Sequence, residues 1–400
     1  MFSGGRGYYS CRGVSGGPRP PGRAMTVNGR GGPCHRGKGG DSSPENHIDD
    51  SGASIAGPAV GDKGEGAKGG LERKALELYR RLERLLLPRF EGACIDFHRE
   101  RPAMVFIPEE EVIAQVENGQ LLTFLTDNKI KRVLVDALWP TNVEVLMKLI
   151  EDGMEVWVLT RPSALHGWRR KSSGKPKGLV EWLMLHQPDV LKGFKTEIKN
   201  DVYDAVLLRY VKPKYLRRVT REFLMCWPRM VFFRNARKNH QRLLDQLSAL
   251  PLPKEENTTR LQPFEKFLKT EANRFVDMVR TQYTAIDELF TELGVSDVIS
   301  QAYTCEVFLE IDETRGFNEN RRKFGLIPKK HQDKLIYDGQ AKHALVQLTS
   351  KKLGIIPKTE EERRRFSMEL GKTLGAIYRW KKTYRRETQR LAGIPAQQQG

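Results

Sequence analysis

The stretch from residue 133 to residue 160 constrains the fold most. Val133, Leu134 and Val135 form a short, fully apolar run. Residues 142–152 carry apolar side chains at helical spacing, and residues 155–160 form a second apolar-rich run. A short apolar run without alternation reads as a strand covered on both faces. A helix between two such strands suggests a right-handed parallel crossover, and Gly153 stands where the chain turns from helix to second strand. Upstream, residues 93–97 and 104–107 are apolar runs flanked by turn residues and read as a β-hairpin. A hairpin followed by a parallel unit implies a mixed sheet with helices packed on it, an α/β fold. Residues 71 to about 87, 109–118 and 120–127 have helical patterns.

Four aspartates stand out against this frame. Asp96 closes the first apolar run, in Gly92-Ala93-Cys94-Ile95-Asp96-Phe97-His98, and Asp136 follows Val133-Leu134-Val135. In Lys199-Asn200-Asp201-Val202-Tyr203-Asp204-Ala205, Asp201 and Asp204 are three residues apart, so at a helix start they share one face. Carboxylates on strand ends and a helix start are the oxygen donors that Mg²⁺, or Mn²⁺ in its place, takes in phosphoryl transfer. In phosphodiester cleavage two such ions sit roughly 3.5–4 Å apart and serve the attacking and leaving oxygens. Four carboxylates converging without a cation would raise one another's pKa. Taken singly, each has a plainer explanation. Aspartate is a common turn residue after a strand, and an i,i+3 pair also suits the positive end of a helix. Hairpin first and parallel unit second is the order found in ribonuclease H-like folds.

The chain carries 68 Lys and Arg against 50 Asp and Glu, a net charge of +18, which favours a polyanionic partner such as DNA or RNA. Basic clusters lie at Arg169-Arg170-Lys171, at Lys199 and at Arg321-Arg322-Lys323. The first falls in an apparent insertion, about residues 163–196, which turns apolar at 179–185 and there carries a short helix. It reads either as a phosphate-backbone contact or as a solvated loop. The helix bearing Asp201 and Asp204 is expected to run to about Tyr210 and to stop at Lys212-Pro213. Residues 215–250, interrupted at Trp227-Pro228, and 264–293 both have helical spacing and form an expected antiparallel pair. Such an arm would dimerise, grip nucleic acid or simply form a helical core. Residues 307–311 read as a strand or a helix end, 312–317 as a turn, and 360–391 as a basic helix.

Residues 1–70 are rich in Gly, Pro, Ser and Arg and are expected to be disordered, either a loose tail or an RNA-contacting arm. The division that follows is 1–70 tail, 71–214 catalytic α/β domain, 215–293 helical arm and 294–400 C-terminal domain. The five cysteines show no metal-binding spacing and read as free thiols in a reducing compartment. No apolar run approaches the roughly 18–20 residues of a spanning helix. With no signal-peptide core at the start, the expected location is the cytoplasm.

The sequence resembles the DEDD transposases of the insertion-sequence family numbered one hundred and ten, relatives of the Piv-type DNA invertases. The resemblance covers roughly residues 90–345. Gly92 to His98 is similar to that family's G-x-D-V-H-K start, and Val135-Asp136-Ala137 stands where it has M-E-A. Gly153-Met154-Glu155-Val156-Trp157-Val158-Leu159-Thr160-Arg161-Pro162 is similar to G-x-x-V-x-V-V-N-P, and Lys199 to Ala205 to K-T-D-x-x-D-A. Glu310-Ile311-Asp312 through Phe317 and Phe324-Gly325-Leu326-Ile327-Pro328 are similar to E-I-G-D-x-x-R-F and Y-x-G-L-x-P.

The resemblance implies a RuvC-like ribonuclease H domain, a coiled-coil arm and a C-terminal transposase domain. It implies DNA strand cleavage and exchange by an oligomer, a dimer or tetramer, guided by a structured RNA. Mg²⁺ would sit at Asp96, Asp136, Asp201 and Asp204. The family also uses a serine nucleophile shortly after G-L-x-P. Lys329 to Lys342 contains no serine; the candidate is Ser350, the first serine to follow, which also reads as a surface serine before Lys351-Lys352. The alternatives are a catalytically degenerate transposase-derived nucleic-acid-binding protein and a metal-dependent nuclease of the Holliday-junction type.

Overall fold

A computed structural model describes residues 65–98, 101–166, 178–194, 200–251, 253–327 and 338–391. From Gly64 onward the chain clusters as one compact unit. It is an α/β structure built on a six-stranded mixed sheet. The strands are β1 (Ala93–Asp96), β2 (Ala103–Ile107), β3 (Val112–Val116), β4 (Arg132–Val135), β5 (Glu155–Leu159) and β6 (Leu216–Arg218). Their order is β3-β2-β1-β4-β5-β6. β1 pairs antiparallel with β2, and β2 with β3, while β1–β4 and β4–β5 are parallel. β6 closes the far edge, antiparallel to β5. The expected hairpin and parallel unit are both present, with α2 (Leu121–Asp127) between β3 and β4, α3 (Val143–Glu151) between β4 and β5, and α5 (Leu179–His186) between β5 and β6.

Alternation along the strands sorts their side chains into two cores. Ala93, Ile95 and Phe97, with Val133 and Val135, face one core, which also takes in Val105 and Ile107. Cys94, Leu134 and Phe106 face the other, where α1 (Glu65–Leu82) and α6 (Asp201–Leu208) lie. By the same period Asp96 and Asp136 belong on the α6 side, a placement that decides the chemistry below. Gly92 makes the β1–β4 approach possible. Its φ is +132°, and a Cβ there would collide with the Arg132 carbonyl.

Several elements differ from the sequence expectation. Residues 109–118 are not one helix. A single 3₁₀ turn, Pro108–Glu110, ends at Glu111 with φ 52°, and β3 follows. Ile113 and Val116 find cores to enter, and a full register against β2 outweighs the local helical pattern. Residues 216–218 form β6 instead of opening the long helix. The helix α7 (Arg221–Ser248) runs straight through Pro228. A proline inside a helix removes one hydrogen bond, and the burial of Phe223, Leu224, Cys226, Met230 and Phe233 around it offsets that loss. α1 begins at Glu65, inside the stretch expected to be tail; residues 1–64 lie outside the described residues.

α7 pairs antiparallel with α8 (Lys254–Gln282). The Cys226 thiol meets the Met278 carbonyl, and Phe233 stacks on Phe275. Contact positions rise on one helix as they fall on the other. α9 (Ile286–Leu293) leads into α10 (Val298–Glu310), which is buried on nearly every side among α8, α12 (Gly339–Leu353) and α13 (Glu360–Leu391). Of residues 307–311, read as strand or helix end, 307–310 are the last turn of α10 and Ile311 is its extended C-cap. Two acids ride inside with it. Glu306, fully buried, meets Arg234 and Arg237 at 2.7 Å each, and Glu310 meets Arg234 at 2.8 Å and Lys323 at 2.6 Å. Arg217 of β6 reaches the Leu309 carbonyl, tying sheet to helices. Cys94, Cys226 and Cys305 are free and buried.

Candidate metal centre

Three elements bring the four aspartates together. Asp96 is the last residue of β1, and Asp136 follows β4, its neighbour in the sheet. Their side chains fall on the α6 face because each sits two residues beyond one already directed there, Cys94 and Leu134. The start of α6 is fixed by Asn200, whose side chain accepts a hydrogen bond from the Val202 N–H at 3.1 Å. That cap puts Asp201 and Asp204 in the first turn, while Val202, Tyr203, Ala205 and Val206 bury the opposite side of α6 against the sheet.

The electrostatics record how close the four are. Asp96 is only 6% exposed, and its carboxyl is pushed up to about 9. Burial is the largest cause, followed by the charges of Asp136, Asp204 and Asp201 in that order. Asp96 and Asp136 share a hydrogen bond that leaves the proton on Asp96. Asp136 is also raised by burial, opposed by the Phe97 N–H, which donates to its Oδ1 at 2.9 Å. Among the described residues no lysine or arginine forms an ion pair with Asp96; its nearest basic group is His98, with Nε2 3.7 Å from Oδ2. A buried carboxylate among three others, with no cationic partner, is costly unless a cation joins it.

Two histidines complete the site. His98 Nε2 lies 3.1 Å from Asp201 Oδ2, and Asp96, His98 and Asp201 each direct one donor atom into a group within 4.8 Å. His166, at the end of the short helix α4 (Ser163–His166), has Nε2 2.6 Å from Asp204 Oδ1. This set of carboxylates with one imidazole suits a divalent cation. Sequence reasoning passed over both histidines. His98 was legible, since it stands two residues after Asp96 in extended chain and shares its face; His166 was not, since nothing local marks the turn that carries it to α6.

Arg169, Arg170, Lys171 and Lys199 are outside the described residues. Of the third basic cluster, on α11 (Phe317–Lys323), Arg322 is exposed and Arg321 half-buried. Lys323 is turned inward: its Nζ meets Glu310, and burial lowers its pKa. Its charge therefore serves Glu310 and not a surface ligand. Ser350 lies near the end of α12, where its Oγ donates to the Ile355 carbonyl at 2.9 Å, an internal tie between the helix and the turn after it.

No model of a known protein family matches the chain, and no curated protein matches it. Among the described residues no helix is long and apolar enough to cross a membrane.

Proposed function

We propose that this protein is a metal-dependent transposase or site-specific recombinase that cleaves and exchanges DNA strands at Asp96, Asp136, Asp201 and Asp204. One observation carries the reading: four carboxylates from two adjacent parallel strands and one helix start meet in a site where, among the described residues, no lysine or arginine pairs with Asp96. The strand order β3-β2-β1-β4-β5, with β2 reversed, supports a ribonuclease H-like assignment of the sheet. The four acids would hold Mg²⁺ or Mn²⁺, which supplies positive charge at the attacking and leaving oxygens of a phosphodiester.

The protein's own groups divide the remaining work. The Phe97 N–H holds the Asp136 carboxylate and His166 holds that of Asp204, which orients both groups. The net charge of +18 supports a nucleic-acid partner. The guide RNA and the homo-oligomer enter this proposal through the family resemblance alone.

Purified protein is assayed for cleavage of DNA carrying the flanks of its own gene, with Mg²⁺ or Mn²⁺ and co-purifying RNA. Asp201→Ala should abolish cleavage and leave nucleic-acid binding intact; cleavage retained in that variant sinks the proposal. The position of Ser350, engaged with the Ile355 carbonyl, favours a second reading. This is a nuclease of the Holliday-junction type with a water nucleophile, which would cut branched DNA without RNA and form no covalent protein–DNA adduct.

A further inference from the structure

His98 has no part in a site made of four acids alone, yet the structure aims it into that site. Its Nε2 is shielded from solvent and makes no hydrogen bond among the described residues. Asp201 Oδ2 is nonetheless 3.1 Å away, and Asp96 Oδ2 3.7 Å away. Atoms this close that fail as a hydrogen bond fail on direction, as two ligands do when they face a common third point. Two adjacent ligands of an octahedral ion bound at about 2.1 Å sit about 3 Å apart. The His98–Asp201 spacing has that value.

A second observation is independent of the imidazole. The Asp96 side chain is about nine-tenths buried, and no lysine or arginine among the described residues offsets it. We propose that His98 is an inner ligand of the cation held by Asp96 and Asp201, and that this mixed nitrogen–oxygen set selects a first-row transition-metal ion over Mg²⁺. The selectivity follows from ligand type. Mg²⁺ takes oxygen donors and keeps much of its water, whereas imidazole raises affinity along the transition series. This inference rests on the metal site of the proposed function and adds a ligand and a preference to it.

The test uses the full chain, freed of nucleic acid, with Mn²⁺ as a paramagnetic probe. Electron spin-echo modulation of the bound ion should show an imidazole nitrogen in the wild-type protein. His98→Ala and His98→Gln should both lose that signal. Each should weaken Mn²⁺ binding at least about tenfold, the low end of what disturbing a metal site's ligand support costs. Mg²⁺ binding, read by competition, should change far less. Mn²⁺ bound with no nitrogen modulation, and unchanged affinity in both His98 variants, overturns the inference and leaves the four-carboxylate site standing. Mn²⁺ bound equally by wild type and by Asp201→Ala overturns both.

Discussion

Replacing Asp96 by asparagine tests whether the four acids are as crowded as the geometry says. In the metal-free fold the Asp96 carboxyl titrates near 9, against an ordinary value of 3.8. Between those limits the folded protein holds a proton that the unfolded chain has released. Stability therefore falls as pH rises, by about 1.4 kcal/mol for each pH unit, beginning near the unfolded value and ending near the folded one. At pH 7 the accumulated loss is on the order of 4 kcal/mol. Asparagine mimics the protonated acid: its amide can donate to Asp136 as the carboxyl does, and it has no proton to lose. In EDTA, Asp96→Asn should match the wild type at pH 4 and exceed it by a margin that widens towards pH 8. Urea unfolding followed by far-UV circular dichroism at a series of pH values measures this directly. Mn²⁺ should then stabilise the wild type more than the variant, because only the wild type has a carboxylate to give the ion. Parallel stability–pH profiles for the two proteins in EDTA would refute the convergence of charge at Asp96.

Three further perturbations probe the same frame. Gly92→Ala places a Cβ against the Arg132 carbonyl at a φ of +132°, so it should cost roughly 3 kcal/mol or more, seen as a lowered melting temperature; an unchanged melting temperature contradicts the close approach of β1 and β4. Glu306→Ala leaves buried Arg237 without an acid and Arg234 with Glu310 alone, and should cost about 3–5 kcal/mol in urea unfolding; a loss under about 1 kcal/mol would mean that Glu310 and Gln340 suffice for the two arginines. His166→Ala removes the group bonded to Asp204 and should weaken Mn²⁺ binding about 10–100-fold by calorimetry, with the unfolding midpoint little changed.

The sheet was legible where a strand's own pattern sufficed. Residues 133–135 and 155–160 are apolar on both faces because both faces are covered, and no helix of three or four residues competes for them. Residues 109–118 and 215–218 were not legible, since their strands exist through pairing with β2 and β5. That pairing is non-local, and the local spacing of Ile113 and Val116, three apart, imitates a helix. Pro228 misled in the opposite direction. A proline is a reliable stop signal only where the flanking residues have no core to fill, and α7 has one on either side of it.

The site divides along the same line. Asp96, Asp136, Asp201 and Asp204 are marked by their positions at strand ends and a helix start, which the sequence displays. What the sequence does not display is the sidedness that makes them one site. That comes from the period of two along β1 and β4, which sends Asp96 and Asp136 to the face occupied by α6, and from the Asn200 cap, which sets the rotation of α6. Shifting the ending of either strand by one residue would turn its acid into the opposite, apolar core, where a carboxylate has no partner. The apolar register of β1 and β4 thus fixes the acid geometry. Substitutions that keep the acids but slip that register should therefore disable the site as fully as removing a carboxylate.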